Sequence, residues 1–156
     1  MRPVFVLVAV LVATSCGGDE EVRATETSSG GVSFAIENVP VDQTEVWAED
    51  WPPGPPSGWA AGGAVQFFVR TPKQTVDRPA RLTFTIDADL FDDVTRDRVD
   101  QLGVFTPGGS VLAPSAESSC DSRDGLAEPD PCIATREFLE NGDGRIVVLA
   151  SDPATG

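Results

Sequence analysis

Apolar and polar residues alternate along this chain in short segments, with no sustained helical period. In Arg81-Leu82-Thr83-Phe84-Thr85-Ile86-Asp87, Leu82, Phe84 and Ile86 share one face while Thr83 and Thr85 share the other, the period of a half-buried strand. Val32-Ser33-Phe34-Ala35-Ile36 repeats the pattern and stops at Val39-Pro40. Glu45-Val46-Trp47 is a brief pairing segment, and Ala64–Arg70 is a longer strand. Gln101–Phe105 and Ser110–Leu112 flank the turn Thr106-Pro107-Gly108-Gly109. Pro131–Phe138 and Arg145–Ala150 flank Asn141-Gly142-Asp143-Gly144 and form a terminal hairpin. Such alternation buries one face of each sheet. The pattern therefore predicts an all-β fold, an antiparallel, immunoglobulin-like β-sandwich of about seven strands between Val32 and Ala150. Phe34, Ile36, Phe67, Val69, Leu82, Phe84, Ile86, Val104, Phe105, Ile146 and Val148 are its expected core. One or two helical turns, capped by Asp92 or Asp93, are expected before Val99.

The N-terminus follows a different rule. Arg2, a short apolar run from Val4 to Val12, and then Ala13-Thr14-Ser15-Cys16 have the order of an export signal rather than of a structural element. The run is about half the roughly 20 residues that a bilayer-spanning helix needs. Its ending resembles the lipobox of bacterial lipoproteins, in which the cysteine becomes the lipidated first residue of the mature chain. Ala13 stands where that motif most often has Leu, and Ala13 with Ser15 also satisfies ordinary signal peptidase. Both routes cut before Cys16. From Gly17 to Gly31 the chain is Gly, Ser, Thr and acid with scarcely an apolar residue, the composition of a flexible tether. The expected organisation is a signal peptide over 1–15, a lipidated Cys16 and tether over 16–31, and a sandwich domain over 32–156. The expected location is the extracytoplasmic face of the cell membrane.

Charge narrows the partners. The chain has 25 Asp+Glu against 11 Lys+Arg, a formal net charge of -14. Such a surface repels nucleic acid, whose binding draws on cations that neutralise phosphates. It resists docking on anionic lipid as well, so the membrane is reached through a covalent lipid. The sequence has no His and no Tyr, and Lys73 is its only lysine. Without His, the commonest general base and the partner of Ser and Cys nucleophiles is missing. No cofactor, metal or catalytic residue is expected, and the chain reads as a non-enzyme.

Three weaker signals compete with structural explanations. Trp47, Trp51 and Trp59 bracket a proline-rich run, Trp51-Pro52-Pro53-Gly54-Pro55-Pro56-Ser57-Gly58-Trp59, that forbids helix and central strand. The three indoles form either a stacking platform for sugars or a cover over the open end of the sandwich, and the structural reading is preferred. Asp87 and Asp89, at i and i+2, would share a strand face as a carboxylate pair, yet two acids in an exposed segment are more often solvated. Asn141-Gly142-Asp143-Gly144 resembles the middle of a dockerin-type calcium loop, but Leu139 and Ala150 occupy outer ligand positions, so a turn explains it. The acidic stretch from Asp87 to Asp100 likewise lacks the glycine and glutamate of an EF-hand, with Asp92 and Arg98 in their places.

Pro55-Pro56-Ser57-Gly58-Trp59, Leu82-Thr83-Phe84-Thr85-Ile86-Asp87-Ala88, Val104-Phe105, Asp130-Pro131-Cys132-Ile133-Ala134-Thr135-Arg136 and Gly142-Asp143-Gly144 together resemble a β-sandwich module. That module recurs near the C-termini of exported and surface-attached bacterial proteins. The resemblance spans Pro52 to Asp152 and implies an extracellular structural or interaction domain, with an upstream cysteine bridged to that of Asp-Pro-Cys. Two departures are the longer loop before Cys120 and the run to Gly156 where an aromatic would close the last strand. Cysteine arithmetic leads to the same pair: of 3 Cys, Cys16 is taken by lipid, leaving Cys120 and Cys132. The functional expectation is a lipid-anchored envelope protein that meets an envelope protein or glycan; the alternative is a carbohydrate-binding module using Trp47, Trp51 and Trp59.

Overall fold

The alternating segments are strands in the computed structural model of the chain, which describes residues 4–11, 26–50, 60–91, 103–105, 111–112, 119–121 and 125–153. In chain order they are β1 (Val4–Leu11), β2 (Glu26–Ser29), β3 (Val32–Glu37), β4 (Glu45–Asp50), β5 (Ala60–Arg70), β6 (Ala80–Ile86), β7 (Gly103–Phe105), β8 (Val111–Leu112), β9 (Cys132–Phe138) and β10 (Gly144–Ala150). They form two sheets, β4-β5-β1-β7-β8 and β2-β3-β6-β10-β9. The fold is the expected β-sandwich. The second sheet is antiparallel throughout, as are the β4–β5 and β7–β8 pairs.

The core follows the alternation. Val32, Phe34 and Ile36 of β3, Leu82, Phe84 and Ile86 of β6, and Ile146 and Val148 of β10 are buried on the inner face of the second sheet. Val46, Phe67 and Val69 meet them from the first. Three rings join the sheets: Phe34 lies 5.3 Å from Phe67 and 5.0 Å from Phe84, centroid to centroid. Phe91 closes one end of this core, meeting Phe138 edge-on at 5.2 Å. Of the expected core residues, Val104 and Phe105 lie in β7, whose side chains are outside the described set.

Among the described residues, Thr44 is the polar residue buried as a whole, and its hydroxyl is satisfied. Thr44, fully buried, follows a 3-10 turn at Val41–Gln43. Its hydroxyl donates to the Pro40 carbonyl at 2.7 Å and accepts from the Thr71 hydroxyl at 2.8 Å, which spares the core an unpaired hydroxyl.

Two expectations need correction. The tether does not extend to Gly31, because residues 26–29 form β2, paired with β3 from Glu26↔Ala35 to Ser29↔Val32. Gly30 and Gly31, with φ of 57° and 78°, make the two-residue turn that such a hairpin requires, a conformation costly for any other residue. The backbone groups of β3, not apolar burial, hold β2. In the full chain the run from Val4 to Leu11 is a strand. It lies between β5 and β7, parallel to both, with pairs from Val4↔Ala60 to Leu11↔Phe68 and from Leu7↔Gly103 to Ala9↔Phe105. Parallel strands commonly read as near-continuous apolar runs, without the alternation of a half-exposed antiparallel strand. Second, the strand of β6 ends at Ile86 and the chain turns through a 3-10 segment at Ala88–Leu90. The expected helical turns from Asp92 to Val99 lie outside the described residues.

Because Phe84 is fully buried between the two other rings, Phe84→Ala should destabilise the domain by about 3–5 kcal/mol. Urea unfolding followed by near-ultraviolet circular dichroism measures this; a loss under 1 kcal/mol would remove the ring cluster from its central place.

Candidate functional site

Among the described residues, the sites expected from the sequence do not converge. Trp47 stands on the outer face of β4, because its neighbours Val46 and Ala48 face the core. It pairs across the strands with Phe68, and the two rings stack with centroids 5.1 Å apart and planes 3° apart. The Arg70 guanidinium lies 5.7 Å from the indole centroid and donates to Glu45 at 2.5 Å. Trp47 is thus half-buried within an aromatic and ionic cluster on the β4–β5 ribbon. Trp51 and Trp59, its proposed companions, lie outside the described residues, as does Cys16.

The carboxylates expected as a pair are separated by the turn after β6. Asp87 and Asp89 are both exposed, and the same-face relation of i and i+2 lapses once the chain leaves the strand at Ile86. Asp143 has a structural task. One carboxylate oxygen accepts from the Ala88 N–H at 2.9 Å and the other from the Asn141 side chain at 2.6 Å. The Asn141 side-chain oxygen Oδ1 accepts from the Asp143 N–H at 3.1 Å, and Gly142 takes a φ of 90°. This is the turn expected there, and it ties the β9–β10 hairpin to the Ala88–Leu90 segment.

Cys120 and Cys132 are bonded, with sulfurs 2.08 Å apart. Cys132 is fully buried and packs with Ala127 and Leu149, with Cys120 against them, on the side of the second sheet away from the main core. The Cys120 N–H donates to the Ile133 carbonyl at 3.0 Å and the Ala127 N–H to Val76 at 3.1 Å, so the loop is held to β9 and to the segment before β6. The Asp130 carboxylate binds the Ser151 N–H at 2.9 Å and also its hydroxyl.

The sequence reading missed a depression on the outer face of β2, β3 and β6. Strand register places Glu26, Ala35 and Thr83 in one row and Ser28, Ser33 and Thr85 in the next. Inner-face residues Val32, Phe34, Leu82 and Phe84 alternate with them, which fixes the direction of each side chain. Ala35, the smallest of the six, forms the floor, and the space measures about 390 Å³. No hydrogen bond or ion pair joins the polar side chains of this group to one another or to any other described residue. No sequence motif marks the group, because only strand pairing brings it together.

Closing a loop with a sequence separation of 12 removes unfolded-state entropy worth about 3 kcal/mol in the chain-entropy model. Cys132→Ser should therefore lower the unfolding free energy by about that amount, and thiol titration of unfolded, unreduced protein should find neither Cys120 nor Cys132 free. Two reactive thiols from this pair would contradict the bridge. Compared with known proteins, the chain matches no protein family, no curated protein and no solved structure.

Proposed function

We propose that the chain is a non-enzymatic, exported and lipid-anchored cell-envelope protein whose β-sandwich is a structural or interaction domain. The observation that carries this reading is the Cys120–Cys132 bridge, packed against Leu149. Such a bond belongs to an oxidising compartment outside the cytoplasm. The route there is the signal-like segment ending at Cys16. Among the described residues, no helix is long and apolar enough to cross a membrane, and a lipid on Cys16 supplies attachment.

The roles of the acidic side chains support the non-enzymatic part. Glu45 pairs with Arg70, Glu37 with Arg81, Glu137 with Arg145, and Asp152 with Lys73. Asp130 and Asp143 hold backbone N–H groups. Carboxylates committed in this way stabilise strands and turns. The second reading, a carbohydrate-binding module with the tryptophans as its platform, needs open indole faces, and at Trp47 the Phe68 ring and the Arg70 guanidinium already lie against the indole.

With β2 beginning at Glu26, the tether shortens to residues 17–25. At most about 3.3–3.6 Å per residue, it reaches roughly 30 Å, which keeps the domain next to the membrane. Processing before Cys16 also removes β1 from between β5 and β7.

Mass spectrometry of the envelope fraction should find Cys16 at the N-terminus of the mature chain carrying a diacylglycerol thioether. Cys16→Ser should move the protein to the soluble exported fraction. An unchanged mass and an unchanged distribution would refute the anchor.

A further inference from the structure

The outer face of the second sheet divides into a saturated part and an unsaturated one. Arg81 and Glu37 pair at 3.3 Å at one end, with Leu149 in the same row lying against the disulfide, and Arg145 and Glu137 pair at the other end, in the row of Thr85. Between these, the hydroxyls of Ser28, Ser33, Thr83 and Thr85 and the carboxylate of Glu26 have no described protein partner. They surround the methyl group of Ala35 in two rows across three strands. At strand spacings of about 4.8 Å and a same-face repeat of about 6.8 Å, the group presents a shallow lattice of hydrogen-bonding positions.

We propose that this depression is a binding site for a neutral oligosaccharide. A hydroxyl both donates and accepts, so four of them match a ligand that is itself dense in hydroxyls, whatever the direction of each bond. Glu26 can accept from two neighbouring sugar hydroxyls, and the Ala35 floor admits the C–H face of a ring. An apolar ligand would strip water from four hydroxyls and return no hydrogen bond. An anionic ligand would meet Glu26, with no cation among the described lining residues, on a chain of net charge -14. The volume of about 390 Å³ lies at the lower end of ligand sites. The inference rests on the sandwich being an interaction domain and not on its anchor, so the Cys16→Ser fractionation can fail while sugar binding persists. It also locates sugar recognition away from Trp47, on the other sheet.

Affinity electrophoresis of the full-length protein in detergent tests it, through gels containing a neutral glucan, mannan or galactan and, in parallel, acidic polygalacturonate. At least one neutral polysaccharide should retard the protein and the acidic one should not. Thr83→Val with Thr85→Val removes two hydroxyls while keeping branched strand formers, and should weaken binding at least about tenfold, counting roughly fivefold for each hydrogen bond. Ala35→Leu, which fills the floor, should abolish retardation. Near-ultraviolet circular dichroism checks each fold; if the threonine variant unfolds, Ser28→Ala with Ser33→Ala on the exposed hairpin serves the same purpose. Retardation by no neutral polysaccharide, equal retardation by the acidic one, or undiminished binding in the folded variants overturns the proposal.

Discussion

The contact on which the rest of this molecule depends is the meeting of Phe34, Phe67 and Phe84 between the sheets. Phe34 and Phe84 are neighbours on adjacent strands of one sheet, and Phe67 reaches them from the other. All three are buried to 1% exposure or less, so their gain comes from area removed from water together with favourable ring geometry. The register of β3 on β6 is fixed by the same burial, since a slip of one residue would turn Phe34 and Phe84 outward. Every outward position on these strands is therefore set by what faces in. The row of Glu26, Ala35 and Thr83 and the row of Ser28, Ser33 and Thr85 follow from where the phenylalanines sit.

The sequence was most legible where one face is apolar and the other polar. In β3, β6 and β10 the expected inner residues, from Phe34 to Val148, are buried. The disulfide was legible by a different logic, since Cys16 had a separate expected use and two cysteines remained. What escaped had no periodic signal. Glu26-Thr27-Ser28-Ser29 has no apolar residue and is a strand because β3 offers it backbone partners; Gly30-Gly31, the one turn signal beside it, is equally at home in a tether. The run from Val4 to Leu11 keeps its reading as an export signal, and the place it takes between β5 and β7 in the full chain has no periodic signal of its own. A shared face for Asp87 and Asp89 requires the alternation of β6 to continue three residues beyond Ile86, where the strand ends. The depression around Ala35 draws on three strands, and no local pattern reports which residues strand pairing will bring side by side.

The two sheets present different outer surfaces on the same framework. On β4 and β5, Trp47, Phe68, Arg70 and Glu45 fill each other's reach through stacking, a cation over a ring and an ion pair. Such a cluster stiffens an edge ribbon, each contact contributing a fraction of a kcal/mol to about one. On β2, β3 and β6 short hydroxyl side chains leave their hydrogen-bonding capacity to solvent or ligand. The disulfide loop shields Leu149 farther along the same sheet, so the apolar part of that face is covered and the polar part remains accessible.

Lys73 is the only lysine of the sequence, and it sits in the segment between β5 and β6, paired with Asp152 just beyond β10. Its side chain is 76% exposed despite that pairing. Amine-directed reagents thus find a single ε-amino group on the whole chain, at the end of the sandwich opposite the Gly30-Gly31 turn. A fluorophore or cross-linker attached there reports on one defined pole of the domain without any engineered residue, and a tryptic digest cuts after lysine at that one position.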